Sequence, residues 1–173
     1  RTFWRNLSKL YAKNESSNTI PSEINVTNQK AEKAQSRFEE EFSCSQSVLS
    51  TLAPELGLDE ETALKIASAF GGGMMRRGEV CGAVTGALMV LGLKYGSSNP
   101  DEEEAVREAS QELMKRFEEK NGSLLCRELL GYRLIVPEEM EAAKESGVFN
   151  TVCPLMVHNA TTLTEEIMKR KKK

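Results

Sequence analysis

Four cysteines, Cys44, Cys81, Cys126 and Cys153, have the most chemistry to offer in this chain of 173 residues. The thiolate is the form of cysteine that binds soft metals and attacks disulfides, so their use depends on what favours ionisation. Two of them sit where the sequence starts a helix. Cys153 directly precedes Pro154, proline being favoured in the first helical turn, which places the sulfur among free helix amides at the positive end of the dipole. Cys81 follows Gly78 at the start of an apolar helical run and lies close to Arg76 and Arg77, two cations suited to offset thiolate charge. If the chemistry is thiol–disulfide exchange, Cys81 or Cys153 is therefore the expected nucleophile.

Generic motifs add little. No Cys-x-x-Cys pair is present, so neither a thioredoxin-like nor a zinc-ribbon spacing applies. The single His158 cannot make a two-histidine site and is read as an exposed or packing residue. On spacing alone, free cysteines packing as small buried hydrophobes are the commoner outcome.

Other segments invite functional readings that their context does not favour. Residues 71–78, Gly-Gly-Gly-Met-Met-Arg-Arg-Gly, are glycine-rich but lack the lysine-serine ending of a phosphate loop, so a helix-to-helix turn is expected. Met74, Met75, Met89 and Met114 are read as core fillers, since copper sites want closely spaced thioethers. The final Lys-Arg-Lys-Lys-Lys run is a solvated tail at the negative end of a helix dipole. The Asn-x-Ser/Thr triplets at Asn6, Asn14, Asn25, Asn121 and Asn159 are expected to be chance matches.

Composition excludes several function classes. A net charge of −3 supplies no field for neutralising phosphates, so nucleic acid is not an expected partner. The most apolar stretch, Ala83 to Leu93, is broken by Thr85, Gly86 and Gly92 and is well short of the roughly 20 residues that span a bilayer. The chain starts at Arg1 without a charged-then-apolar leader, either inside a longer protein or after its removal, and the expected setting is cytoplasmic. At this length a core forms without disulfide staples.

The elements that must position the cysteines all read as helix. Residues 1–29 are expected to be a short amphipathic helix over 1–13, carrying Phe3, Trp4, Leu7, Leu10 and Tyr11, followed by an Asn-, Ser- and Thr-rich arm; its apolar face packs on its own domain or on a second copy, a homodimer. Residues 30–173 are the helical domain. Ala31 to Glu41 is expected to continue into Phe42 to Leu52, ended by Pro54 and Gly57. Asp59 caps the next helix, which the triple glycine stops. In the helix of Gly78 to Tyr95, Gly82 and Gly86 lie four apart with Ala83 and Ala87, so one face lacks bulk and admits a close neighbour. Asn99-Pro100 starts a helix to about Lys120, Asn121-Gly122 ends it, Ser123 caps a short helix to Leu130, and further helices start at Pro137 and Pro154. Only Tyr132 to Val136 has strand period, and it is too short for a sheet. The expected fold is all-α, a compact bundle of six to seven helices around a central Gly/Ala-rich helix.

Several of these segments, in order, carry a family resemblance. Phe42-Ser43-Cys44-Ser45-Gln46-Ser47-Val48-Leu49, then Gly71-Gly72-Gly73-Met74, Gly78-Glu79-Val80-Cys81-Gly82-Ala83-Val84-Thr85-Gly86-Ala87, Cys126-Arg127-Glu128-Leu129-Leu130-Gly131 and Cys153-Pro154 resemble the C_GCAxxG_C_C family of redox-active proteins over about Ala31 to Ile167. This chain reads Cys81-Gly82-Ala83 where the family label reads Gly-Cys-Ala.

The resemblance implies a four-cysteine redox or metal centre, of a kind found mainly in anaerobic bacteria and archaea. Its favoured cofactor is an iron–sulfur cluster held by Cys44, Cys81, Cys126 and Cys153, serving electron transfer or redox sensing with an unknown redox partner. Four thiolates suit a 2Fe–2S or a 4Fe–4S cluster, and zinc less well. In that picture Gly82 and Gly86 let backbone lie against the cluster and donate to its sulfide, while Arg76 and Arg77 offset its charge. Cycling of paired cysteines through a disulfide, or inert thiols in a helical dimer, are the alternatives.

Overall fold

A computed structural model describes residues 22–170, with side chains from residue 29 on. The helix expected over residues 1–13 lies outside the described residues, as do the last three lysines. The described residues are all-α and form no strand. Eight helices make the body, one more than the upper expectation: α1 (Ser22–Glu39), α2 (Cys44–Leu52), α3 (Glu60–Ala67), α4 (Gly82–Tyr95), α5 (Glu104–Asn121), α6 (Cys126–Leu130), α7 (Pro137–Glu145) and α8 (Cys153–Lys169). Short 3-10 turns over Ala53–Leu56, Ser68–Phe70 and Pro100–Glu102 and single turns over Gly71–Met74 and Val148–Thr151 join them.

Four boundaries differ from expectation. Helix α1 starts at Ser22, inside the stretch read as an arm, so Lys30 is not an element boundary. The helix expected to run unbroken through residues 31–52 is two helices. Glu41 takes a left-handed φ of 71°, and Ser43 restarts the chain as an N-cap in a capping box with Gln46. The break makes Cys44 the first residue of α2 rather than a mid-helix residue. The helix expected from Gly78 starts at Gly82, because residues 78–81 pair with 124–127 instead, and Asn99 caps the separate 3-10 turn Pro100–Glu102, while α5 starts only at Glu104. The remaining local signals act as read. Asp59 accepts from the Thr62 amide at 2.9 Å, Asn99 accepts from the Asp101 amide, and Gly122 and Gly131 close α5 and α6 in the left-handed conformation. Residues 132–136 are turn, not strand.

Helix α4 runs through the middle and packs against α2, α5 and α8, while α8 also lies along α1. The core is aliphatic, with Leu49, Leu52, Val84, Leu91, Leu113, Phe117 and Val157 fully buried. Polar ties fix the helix ends. Asn159, in α8, is buried and donates to Asn121 at 2.7 Å, which rules out its chance glycosylation triplet as a surface acceptor. The buried Glu165 pairs with Lys30 across the α1–α8 seam at 3.2 Å.

Helices α2 and α4 approach closely, and two glycines permit it. A Cβ on Gly86 would stand 2.7 Å from the Ser45 carbonyl oxygen and 3.1 Å from its Cα; one on Gly82 would stand 3.2 Å from the Cys44 Cβ. Alanine at Gly86 would part the helices, and alanine at Gly82 would need Cys44, Ser45 or the Phe70 carbonyl to give by a few tenths of an ångström. Gly92, further along α4, has no atom within 4 Å of that position. Gly86→Ala is therefore expected to lose about 1–2 kcal/mol net, overpacking outweighing the better helix propensity. Gly92→Ala should gain up to about 1 kcal/mol. Thermal melts of the two variants check this, with the midpoint moving in opposite directions.

Candidate functional site

Each of the four cysteines stands at the start of a helix. Cys44, Cys126 and Cys153 are the first residues of α2, α6 and α8, and Cys81 is the N-cap of α4. The sequence marks only two of these starts. Cys44 is placed by the capping box at Ser43, and Ser45 then ties α2 to the end of α3 by donating to the Ala67 carbonyl at 2.9 Å. Cys153 is placed by the turn Val148–Thr151 and by Pro154.

Cys81 and Cys126 are placed together, by pairing of two extended segments. The Cys81 amide donates to the Leu124 carbonyl at 2.8 Å, the Cys126 amide to Glu79 at 2.7 Å and the Arg127 amide to Gly78 at 3.1 Å, around a bridge between Val80 and Leu125. The glycine-rich turn seats this pairing. Gly73 has a φ of 64°, and a Cβ there would stand 2.6 Å from the Glu79 carbonyl oxygen and 2.8 Å from the Cys126 Cβ. Ser123, expected as the helix cap, instead accepts from the Leu125 amide and donates to Glu128 just before α6.

All four thiols line one cavity of about 980 Å³ and are buried, with 8, 4, 6 and 7% of Cys44, Cys81, Cys126 and Cys153 exposed. No disulfide links them. Among the described residues, no three Cys, His, Asp or Glu side chains are grouped closely enough to share a single metal ion.

The glycines and arginines assigned to the site by sequence divide. Gly82 lines the cavity beside Cys44. Gly86 does not; its bare face meets Ser45 and Val48 of α2, so its role is helix packing. Arg76 lies at the cavity, whereas Arg77 is exposed and not part of its wall. His158 is also outside it. Met75, read as a core filler, is 65% exposed at the cavity edge. Sequence reasoning missed Phe38, Phe42 and Phe149, which line the same cavity from α1, the α1–α2 link and the turn before α8. Phe38 and Phe42 lie four residues apart, but nothing local shows that Phe149 joins them.

Burial decides most of the thiol acidity. It pushes Cys81 up to about 11, against the opposing pull of the Ala83 and Val84 amides at the start of α4. Burial, with the neighbouring Cys81 and Cys153, pushes Cys126 up to about 12. The helix start therefore does not make Cys81 a ready thiolate, as its sequence position suggested. Cys44 and Cys153 share a hydrogen bond. It holds Cys153 below the ordinary thiol value of 9.0 and, together with burial, Cys44 well above it. Cys153 is the thiol of the four that ionises first.

Comparison with known proteins agrees with this arrangement. Residues 42–167 match the model of a family described as "Putative redox-active protein (C_GCAxxG_C_C)". The chain belongs to this family. The match takes in all four cysteines and every helix from α2 to the greater part of α8. No curated protein and no solved structure matches the chain. No helix of the described residues is long and apolar enough to cross a membrane.

The raised thiols have a consequence for stability. Between pH 9 and 11 the unfolded chain has lost the protons of Cys81 and Cys126 while the folded chain keeps them, so stability falls as pH rises through that window. Below pH 9 neither thiol contributes to the slope. Metal-free, reduced protein should melt at progressively lower temperature from pH 9 to 11. In the double variant Cys81→Ser, Cys126→Ser the decline should be shallower, which thermal melts across that range will measure.

Proposed function

We propose that this redox-active chain holds an iron–sulfur cluster through Cys44, Cys81, Cys126 and Cys153 and serves electron transfer or redox sensing. The observation that carries the reading is the convergence of four buried thiols, from helix starts spread over residues 44–153, on one cavity. Buried thiols with acidities pushed up to about 11 and 12 do not ionise at neutral pH by themselves. A bound metal centre supplies the positive charge that deprotonates a coordinating thiol outright. The donors brought to the cavity are all sulfur, the ligand type that iron–sulfur clusters take.

Other residues of the site take roles consistent with this. Gly82 lets the start of α4 lie close against Cys44 and the Phe70 carbonyl, where a Cβ would stand 3.2 and 3.0 Å away. Amides of Ala83 and Val84 at the Cys81 sulfur stabilise negative charge there and would shift the reduction potential upward. Arg76 supplies positive charge at the rim. A cluster would contribute one-electron transfer, while the protein's part is to hold the sulfurs and limit solvent access. A cytoplasmic setting, which keeps thiols reduced, belongs to the same reading.

Purification without oxygen, followed by a visible spectrum and iron and sulfide analysis, tests it. The expected result is a coloured protein with roughly two or four irons per chain, matching a 2Fe–2S or 4Fe–4S cluster. Each single Cys→Ser variant should lose more than half of the iron, and Arg77→Ala none. A colourless, iron-free protein would overturn the reading.

The hydrogen bond between Cys44 and Cys153 supports a second reading, a dithiol that closes to a disulfide. In that step two thiols release two electrons and two protons to an acceptor as the S–S bond forms. Mild oxidation of metal-free protein with diamide, followed by peptide mapping, should then give a Cys44–Cys153 disulfide and leave Cys81 and Cys126 reduced. Four free thiols after oxidation would remove this reading.

A further inference from the structure

The cavity is larger than its cysteines require. An iron–sulfur core is a compact inorganic body, whereas about 980 Å³ is the volume of a pocket that takes an organic molecule. The composition of the walls is as informative as the size. Of the six phenylalanines in the chain, Phe38, Phe42 and Phe149 line this one cavity, all half-buried, and Met140 and Met156 stand with them. Phe38 and Phe42, four residues apart at the end of α1 and in the link to α2, and Phe149, from the turn before α8, bring three aromatic rings to which a flat ring can pack.

Charge narrows the class of ligand. The charged side chains lining the cavity, Glu41, Arg76 and Lys144, are all exposed, and Lys144 pairs with Glu141 at 3.0 Å. The buried lining consists of thiols, leucines, glycine and methionine, with no fixed charge among them. An ionic group carried into the interior would meet no counter-charge there, and its desolvation would go uncompensated. The interior suits an uncharged molecule.

We propose that the cavity binds an uncharged, flat, apolar ring compound of the quinone type between Phe38, Phe42 and Phe149, beside the four thiols. The site deepens the redox reading by naming the class of electron acceptor, but the binding itself rests on the cavity walls and not on a cluster. With the dithiol as donor, the balance is complete: Cys44 and Cys153 give up two electrons and two protons on forming their S–S bond, and the quinone takes up both to become the hydroquinone.

Duroquinone is a suitable probe, because its ring carries a methyl group at every position open to thiol addition and so does not readily alkylate thiols. Anaerobic equilibrium dialysis against the full chain should show saturable binding of one molecule per chain. Phe149→Ala should raise the dissociation constant at least tenfold, and Met140→Trp, which fills the cavity, should do the same while keeping the wild-type circular dichroism. Anthraquinone-2,6-disulfonate, with two anionic groups, should bind at least tenfold more weakly than duroquinone.

The variant with all four cysteines changed to serine should keep duroquinone binding within about threefold, which separates this site from the metal reading. Binding to iron-free protein would sustain the inference even as the cluster reading fell. Iron-containing protein that does not bind duroquinone would overturn the inference alone. Wild-type affinity in both Phe149→Ala and Met140→Trp, or equal affinity for the disulfonate, would also overturn it.

Discussion

The close approach of α2 to α4 is the contact on which the rest of the site depends. It brings the start of one helix against the start of the other, so that Cys44 and Cys81 face the same space, and it is possible only because Gly82 and Gly86 present backbone where other residues present Cβ. Each interior glycine costs about 1 kcal/mol of helix propensity relative to alanine. That cost is offset by burial, since Val48 and Leu49 of α2 and Val84 and Leu91 of α4 are removed from water in the same core. Helix α8, packed on both of them, then brings Cys153 to the remaining side.

Two physical effects compete over the sulfurs, and position alone does not predict the winner. Helix starts favour thiolates through free amides and the dipole; burial favours thiols because a charge loses its water. At Cys81 both act and burial prevails. At Cys153 a hydrogen bond from Cys44 prevails over burial and tips the balance the other way. The result is a buried set of thiols in which Cys44, Cys81 and Cys126 hold their protons and Cys153 gives its proton up most readily.

How much of this was legible depended on whether the cause was local. The all-α class, the caps at Asp59 and Asn99, the stops at Gly122 and Gly131 and the start at Cys153-Pro154 each follow from a few adjacent residues, and each is present in the structure. The break before Cys44 was also written locally, as Ser43-x-x-Gln46, but continuous helical propensity on both sides concealed it. In the same way the Asn- and Ser-rich composition after residue 14 hid the start of α1 at Ser22. The position of Cys126 had no local signal. It is fixed by pairing with residues 78–81, more than forty positions earlier, and Leu125 caps its helix without any side-chain bond. The aromatic wall was illegible for the same reason, and Gly86 was assigned to a cofactor because spacing shows that a face is bare without showing what meets it.

The turn that seats this pairing is the least expected part of the backbone. Five consecutive residues, Gly72 to Arg76, have left-handed φ values between 50° and 67°. For the glycines this conformation is free of steric penalty, but Met74, Met75 and Arg76 carry about 1–2 kcal/mol each in it. Nothing in their own types favours it, so the surroundings must impose it. They do so through the Arg76 amide on the Gly71 carbonyl and through the Gly78 and Glu79 amides on Gly72 and Gly73, which wind the segment the wrong way and deliver it into the pairing with residues 124–127. A right-handed turn there would send residues 78–81 elsewhere, separating Cys81 from Cys126. Backbone strain of this kind persists where the structure around it over-determines the conformation, and it concentrates at functional sites. Here it sits on the wall of the cysteine cavity, holds two of the four sulfurs in register and turns Met75 and Arg76 to the rim. The glycine-rich turn is thus no mere connection between helices. It is the part of the scaffold that converts four helix starts into a single site.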